Sequence, residues 1–199
     1  MLSVGLTGGL ATGKSTVGRF LADLGCFLIR YDDLGHQVIE PGAEAYGAVV
    51  AEFGREILSQ DATIDRRALA ATVFADPTRL ARLNALIHPP ARARAAALLS
   101  DFARRHPHGI AVTEAAILIE TGSYKEYDRL IVAVCRPEQQ IERAMARDGL
   151  SRQEVLDRLS RQMPLEDKVK YADFVIDTSG SKDETLRQTQ GVYDALRSL

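Results

Sequence analysis

Gly8-Gly9-Leu10-Ala11-Thr12-Gly13-Lys14-Ser15-Thr16 lies between a short apolar run, residues 2–6, and a segment in which Val17, Phe20, Leu21 and Leu24 recur at helical spacing. The stretch fits G-x4-G-K-[ST], and the strand before it and the amphipathic helix after it are the context that gives the pattern meaning. Glycines allow backbone conformations that a Cβ would obstruct, so successive N–H groups can turn inward around phosphate oxygens. The helix that follows aims its free N–H groups and positive dipole end at the same anion. Lys14 adds a mobile charge for the β- and γ-phosphates, and the Ser15 hydroxyl suits Mg²⁺. Four fixed letters recur by chance in about one chain per hundred of this length, before the strand–helix context is demanded. Gly8, Gly9, Ala11, Thr12, Gly13, Lys14, Ser15 and Thr16 are therefore read as a nucleoside triphosphate site.

Working outward, short apolar runs alternate with longer helical patterns, as in an α/β fold with a parallel sheet. Strands are expected at 2–6, 26–29, 110–113, 130–134 and 174–176. About eighty residues separate the second strand from the third, far more than one crossover needs. Helical patterns fill that interval at 45–53, 66–74, 78–87 and 90–105. The expected architecture is a three-layer P-loop core (1–40 and 106–199) with a five-stranded parallel sheet. A helical acceptor-binding insertion (about 41–105) and a helical, arginine-rich lid (about 137–165) complete it, and a last helix runs over about 182–199.

Composition narrows the function classes. The 199 residues are 46% hydrophobic and 26% charged, enough apolar material for a sizeable core. Lys and Arg number 25 against 27 Asp and Glu, a net charge of −2 that gives no global electrostatic case for nucleic acid or an anionic membrane. The two cysteines, Cys26 and Cys135, sit in apolar runs and read as buried free thiols. The opening Met1-Leu2-Ser3-Val4-Gly5-Leu6 lacks the basic region and long apolar stretch of a signal peptide, and no window approaches a membrane span. A cytoplasmic location is the expectation; oligomeric state is not legible.

A phosphate loop does not by itself separate kinases from switches or motors. Guanine-specific switches carry Asn-Lys-x-Asp, whereas the single asparagine here, Asn84, precedes Ala85. A kinase needs a carboxylate at the acceptor hydroxyl, an acceptor pocket and cations that close over the transferring group. Asp32, just past the second strand in Leu28-Ile29-Arg30-Tyr31-Asp32-Asp33, is the carboxylate candidate, because ligands in open α/β sheets bind beyond the carboxyl ends of the strands. A helix cap or solvated turn acid is the blander reading, and the better one for Asp33. Arg143 and Arg147, at i and i+4, can share a helical face and clamp polyphosphate, or else be solvated surface arginines. Glu114, ending the third strand, can hold Mg²⁺ through water or be a buried structural acid. A lone histidine such as His36 packs or hydrogen-bonds more often than it acts as a base.

These residues resemble the dephospho-CoA kinase family over essentially the whole chain. Val4-Gly5-Leu6-Thr7-Gly8-Gly9 is similar to that family's start, and Asp32-Asp33-Leu34-Gly35-His36 with Pro41-Gly42 resembles its acidic D-x-x-x-H element and the turn behind it. Leu83-Asn84-Ala85-Leu86-Ile87-His88-Pro89 resembles its LNxIxHP segment, and Gln140, Arg143, Arg147, Ala172-Asp173-Phe174-Val175-Ile176 and Gly180 follow in order. The resemblance implies ATP- and Mg²⁺-dependent phosphorylation of the ribose 3′-hydroxyl of 3′-dephospho-coenzyme A, giving coenzyme A and ADP. It implies Asp32 as base, Lys14 and the phosphate loop on ATP, and Arg143 and Arg147 acting from the lid. Asp32, His36, Arg66 and the His88-Pro89 turn would serve the acceptor; His88 could also simply fix that turn. Another small-molecule or nucleoside monophosphate kinase is the alternative. The chain departs from the family pattern at Ala11 (commonly glycine), Arg30 (often a first aspartate), Glu114 and Ala116 (Asp and Pro) and Thr178 (asparagine).

Overall fold

The computed structural model describes residues 1–74 and 76–199. Five parallel strands form one sheet in the order β2-β3-β1-β4-β5, with β1 at Leu2–Gly8, β2 at Phe27–Arg30, β3 at Ile110–Glu114, β4 at Arg129–Val134 and β5 at Phe174–Asp177. Each strand meets its sequence expectation within two residues at either end. Strand β3 is buried throughout, and β1 and β4 are buried over most of their length, which requires cover on both faces. Apolar runs at 130–134 in β4 and 110–112 in β3 supply that burial, whereas β1 alternates Leu2, Val4 and Leu6 with Ser3, Gly5 and Thr7. The chain passes from β1 two places to one side, returns through β3, then crosses to β4 on the other side of β1. That reversal opens a crevice at the carboxyl end of β1, where the phosphate loop leaves the sheet.

Two compact units account for the chain: residues 1–30 with 102–199, and residues 31–101. In the first, helix α1 (Lys14–Asp23) buries Val17 and Leu21, with Phe20 and Leu24 half-buried beside them. Val17 and Leu21 join Val4, Leu6, Val112, Ile131, Ile176 and Leu196 in one core, the last from the final helix α9 (Lys182–Arg197). Helix α9 starts at a capping box in which Ser181 and Glu184 satisfy each other's backbone N–H groups. Between β4 and β5 lie α6 (Pro137–Asp148), α7 (Arg152–Leu159) and α8 (Leu165–Val169). Cys26 and Cys135 are both buried, and burial pushes the Cys26 thiol up to about 11.

The second unit begins with α2 (Tyr31–Gln37), followed by α3 (Tyr46–Phe53) and α4 (Arg66–Phe74). Asp65 caps α4 by accepting from the N–H groups of Arg67 and Ala68 at 2.8 and 3.2 Å. Its buried side chains include Leu34, Val38, Val49, Phe53, Ile57, Leu69, Val73 and Leu83. One expectation is corrected here: the separate helices at 78–87 and 90–105, with a turn at His88-Pro89, are a single helix α5, Pro77–Arg105, with Pro89 and Pro90 inside it. Two adjacent prolines remove the N–H groups that would reach the carbonyls of Ala85 and Leu86. The helix nevertheless continues on the burial of Leu83, Ala91 and Ala95 along its length.

Candidate active site

The phosphate loop is built by close approach. A Cβ on Gly8 would lie 2.5 Å from the Ala133 carbonyl oxygen, so only glycine lets the end of β1 pass beside β4. Gly13, at φ 82, is the left-handed N-cap of α1. Ala11 also lies in the left-handed region, at φ 56, a conformation that costs an L-residue about 1 kcal/mol. That is how the loop accommodates alanine at a position where the sequence departs from the family. The Ala11 methyl packs with Leu10 against Ile141, Ala144 and Val155 of α6 and α7.

Side chains from distant parts of the first unit hold the loop in shape. Buried Thr12 donates to the Gly9 carbonyl at 3.1 Å, and Lys14 Nζ donates to the same oxygen at 2.9 Å. Thr178, just beyond β5, donates its hydroxyl to the Thr12 carbonyl at 2.8 Å. Arg143 in turn donates to Thr178, to the hydroxyl at 3.0 Å and to the carbonyl oxygen at 2.8 Å. Thr178 is therefore a link between loop and arginine. The Leu10 N–H is taken by Gln162 Oε1 at 2.9 Å.

At the start of α1, Ser15 Oγ donates to Glu114 Oε1 at 2.6 Å. Glu114 is buried; its other oxygen, Oε2, is buried without a hydrogen-bond partner among the described residues and lies 3.7 Å from Arg30 Nε. A hydroxyl and an ionisable carboxylate in contact, one oxygen orphaned, form a hard-oxygen donor set that fits Mg²⁺ completed by water and phosphate oxygens. No group of three or more His, Cys, Asp or Glu side chains able to hold a metal occurs among the described residues, so no all-protein cage competes with it.

Arg143 and Arg147 both lie on α6 and have different partners. Arg147 forms a two-pronged pair with Asp148 at 2.7 and 2.9 Å, while Arg143 is committed to Thr178.

In the second unit, Asp32 and Asp33 are exposed in the first turn of α2, which starts at Tyr31. Asp32 thus lies inside the helix, past the cap position that was its blander reading. His36 lies in the last turn of the same helix, and partial loss of water around its ring, reinforced by the Arg66 charge, lowers its pKa below 6.5 against the upward pull of Asp32 and Asp33. His88 is lowered as well, by burial and then by Arg92. Its carbonyl accepts from Tyr31 Oη at 3.3 Å and the rings stack with centroids 6.3 Å apart, joining α2 to α5.

Sequence reasoning missed Lys168. It is fully buried in α8 and donates to the Ala116 carbonyl at 2.8 Å, to the Gly8 carbonyl at 3.4 Å, and to Glu120 Oε1 at 2.9 Å. Glu120 also accepts from the Met163 N–H at 3.1 Å. In the sequence, Glu166-Asp167-Lys168 reads as a solvated charged turn, and nothing in its spacing sets Lys168 apart.

A five-stranded parallel sheet with this loop at the carboxyl end of its middle strand defines the class: the fold is that of the P-loop kinases. The dephospho-CoA kinase family model matches residues 2–184. A dephospho-CoA kinase of Geobacter sulfurreducens is 43% identical over 190 residues, 96% of this chain and 96% of the relative. Among solved structures, one from Thermus thermophilus is 33% identical with a TM-score of 0.82, covering 98% of this chain and 96% of that one. The dephospho-CoA kinase of Campylobacter jejuni is 25% identical with a TM-score of 0.73, covering 98% and 97%. The chain belongs to the dephospho-CoA kinase family.

Proposed function

We propose that this chain transfers the γ-phosphoryl group of ATP to the ribose 3′-hydroxyl of dephospho-CoA, releasing ADP and coenzyme A. The observation that carries the reading is the full-length match to the family, combined with an intact phosphate loop. Lys14 and the loop N–H groups hold the polyphosphate and take up charge that develops as the bond to the leaving oxygen breaks. Asp32 accepts the proton of the acceptor hydroxyl as its oxygen attacks the γ-phosphorus, and orients that oxygen in line. Ser15 and Glu114 are the residues that would hold Mg²⁺, which when bound would neutralise phosphate charge. Arg143 steadies the loop through Thr178 and, with Arg147, supplies cations from the proposed lid, residues 137–165. Arg66 and His88, on the helical insertion that the family pattern assigns to the acceptor, and His36 ahead of that insertion belong to the acceptor side.

The experiment is ADP release across an acceptor panel at saturating ATP and Mg²⁺. Release should depend on dephospho-CoA and be absent with AMP, dTMP and gluconate. Equal turnover of a nucleoside monophosphate overturns the substrate assignment while leaving the kinase fold intact.

A further inference from the structure

Arg30 is the departure from the family pattern whose position has a chemical consequence. It ends β2 and is the register partner of Glu114, which ends β3, so the two side chains leave neighbouring parallel strands at one level. Their ion pair, 3.7 Å from Arg30 Nε to Glu114 Oε2, is one-sided: the arginine side chain is 45% exposed and the glutamate 9%. The other oxygen of the carboxylate is engaged by Ser15. Around Oε2 stands Gly18 of α1, whose absent side chain leaves space; a Cβ there would lie 3.1 Å away. Arg30 is thus the cation facing an oxygen that has no hydrogen-bond donor among the described residues.

We infer that Arg30 is a charge-setting residue of the metal site: it opposes divalent cation binding at Ser15 and Glu114, so that metal enters with the nucleotide rather than ahead of it. This rests on the reading that Ser15 and Glu114 hold Mg²⁺. A guanidinium beside the carboxylate repels a divalent ion approaching the same oxygens, and it satisfies the buried charge when the metal is away. Phosphate oxygens bring the negative charge that reverses the balance. The half-exposed position screens the effect, which limits it to about three- to tenfold in metal affinity.

The test titrates Mn²⁺ into the protein without nucleotide, and again with equimolar ADP against an ADP-only control, and reads free Mn²⁺ by its paramagnetic resonance signal. Melting temperatures of each variant verify the fold, which an exposed end-of-strand side chain should not control. Affinity should follow charge: Arg30→Lys like the parent, Arg30→Met about three- to tenfold tighter, Arg30→Asp tighter again. Glu114→Gln should weaken Mn²⁺ binding, because it removes the anionic donor. If Glu114→Gln weakens binding but Arg30→Met and Arg30→Asp match the parent, the inference about Arg30 is overturned alone. If Glu114→Gln binds Mn²⁺ as the parent does, the placement of the metal is wrong and the inference falls with it.

Discussion

Asp32 and Asp33 are neighbours of the same type in one helical turn, and they separate the proposed mechanism from its rivals. Consecutive helical residues point about 100° apart, so only one of the two can serve a given hydroxyl. Asp32→Asn keeps the size and one oxygen acceptor but removes the basicity. Turnover at saturating ATP and dephospho-CoA should fall about 10²–10⁴-fold, the worth of a positioned general base, with ATP affinity little changed. Asp33→Asn should stay within about tenfold of the parent on that scale. A near-normal rate for Asp32→Asn, or the large loss at Asp33 instead, contradicts the assignment. Steady-state kinetics of both variants, with melting temperatures as the control for folding, decide between them. Residue identity was legible where the backbone restricts the choice of side chain, as at Gly13 in its left-handed cap. It was silent where a common residue is recruited by tertiary packing: Lys168 reads as a surface lysine, and only the fold makes it a buried donor to the Gly8 and Ala116 carbonyls.

Helices α2 and α5 carry a titration that belongs to elements rather than to any one side chain. His36 lies in the last turn of α2 and His88 within α5, and the folded state lowers both pKa values from 6.5, in each case chiefly by partial burial. Above pH 6.5 both rings are neutral folded or unfolded, and stability is indifferent to pH on their account. Below it the unfolded chain takes up protons more readily, so stability falls as pH drops from 6.5 through the lower folded-state values. Urea midpoints measured between pH 7.5 and 5.0 should decline across that window, and the decline should flatten in the His36→Gln, His88→Gln double variant. A midpoint that rises as pH falls would show that the two rings gain a partner on protonation. At this scale the strands were legible because buried parallel strands read as short apolar runs, and α1 because Val17 and Leu21 recur at helical spacing. The unity of α5 was not legible. A proline pair ordinarily ends a helix, and the burial of Ala91 and Ala95 that carries the helix onward is a tertiary contribution that local propensity does not contain.

For the whole molecule, hydrogen bonds of Glu114, Gln162 and Thr178, the last held by Arg143, reach the phosphate loop at the point where the strand order reverses, where the proposed function places the nucleotide. A ligand bound only by the folded state raises stability by RT ln(1 + [L]/Kd), about 2.7 kcal/mol at a hundred times Kd. The melting temperature should therefore climb with ATP·Mg²⁺ in the parent. Lys14→Ala should melt near the parent without nucleotide and lose most of that rise, since the proposed function aims that charge at phosphate. An unaltered rise would contradict the loop reading. Fold class was open to sequence reasoning at this scale, because the strand–loop–helix context and the spacing of apolar runs are both local. The network that shapes the loop, Thr178 to Thr12 and Gln162 to Leu10, joins residues more than 150 positions apart, and single-chain periodicity holds no record of it. The most direct test of the account is the identity of the product. With ATP labelled at the γ-phosphoryl group and dephospho-CoA as acceptor, mass and phosphorus resonance should find the label in one new compound. That compound should match coenzyme A, with its phosphomonoester on the ribose 3′-oxygen. Label transferred to another position, or to water with dephospho-CoA left unchanged, would contradict the account.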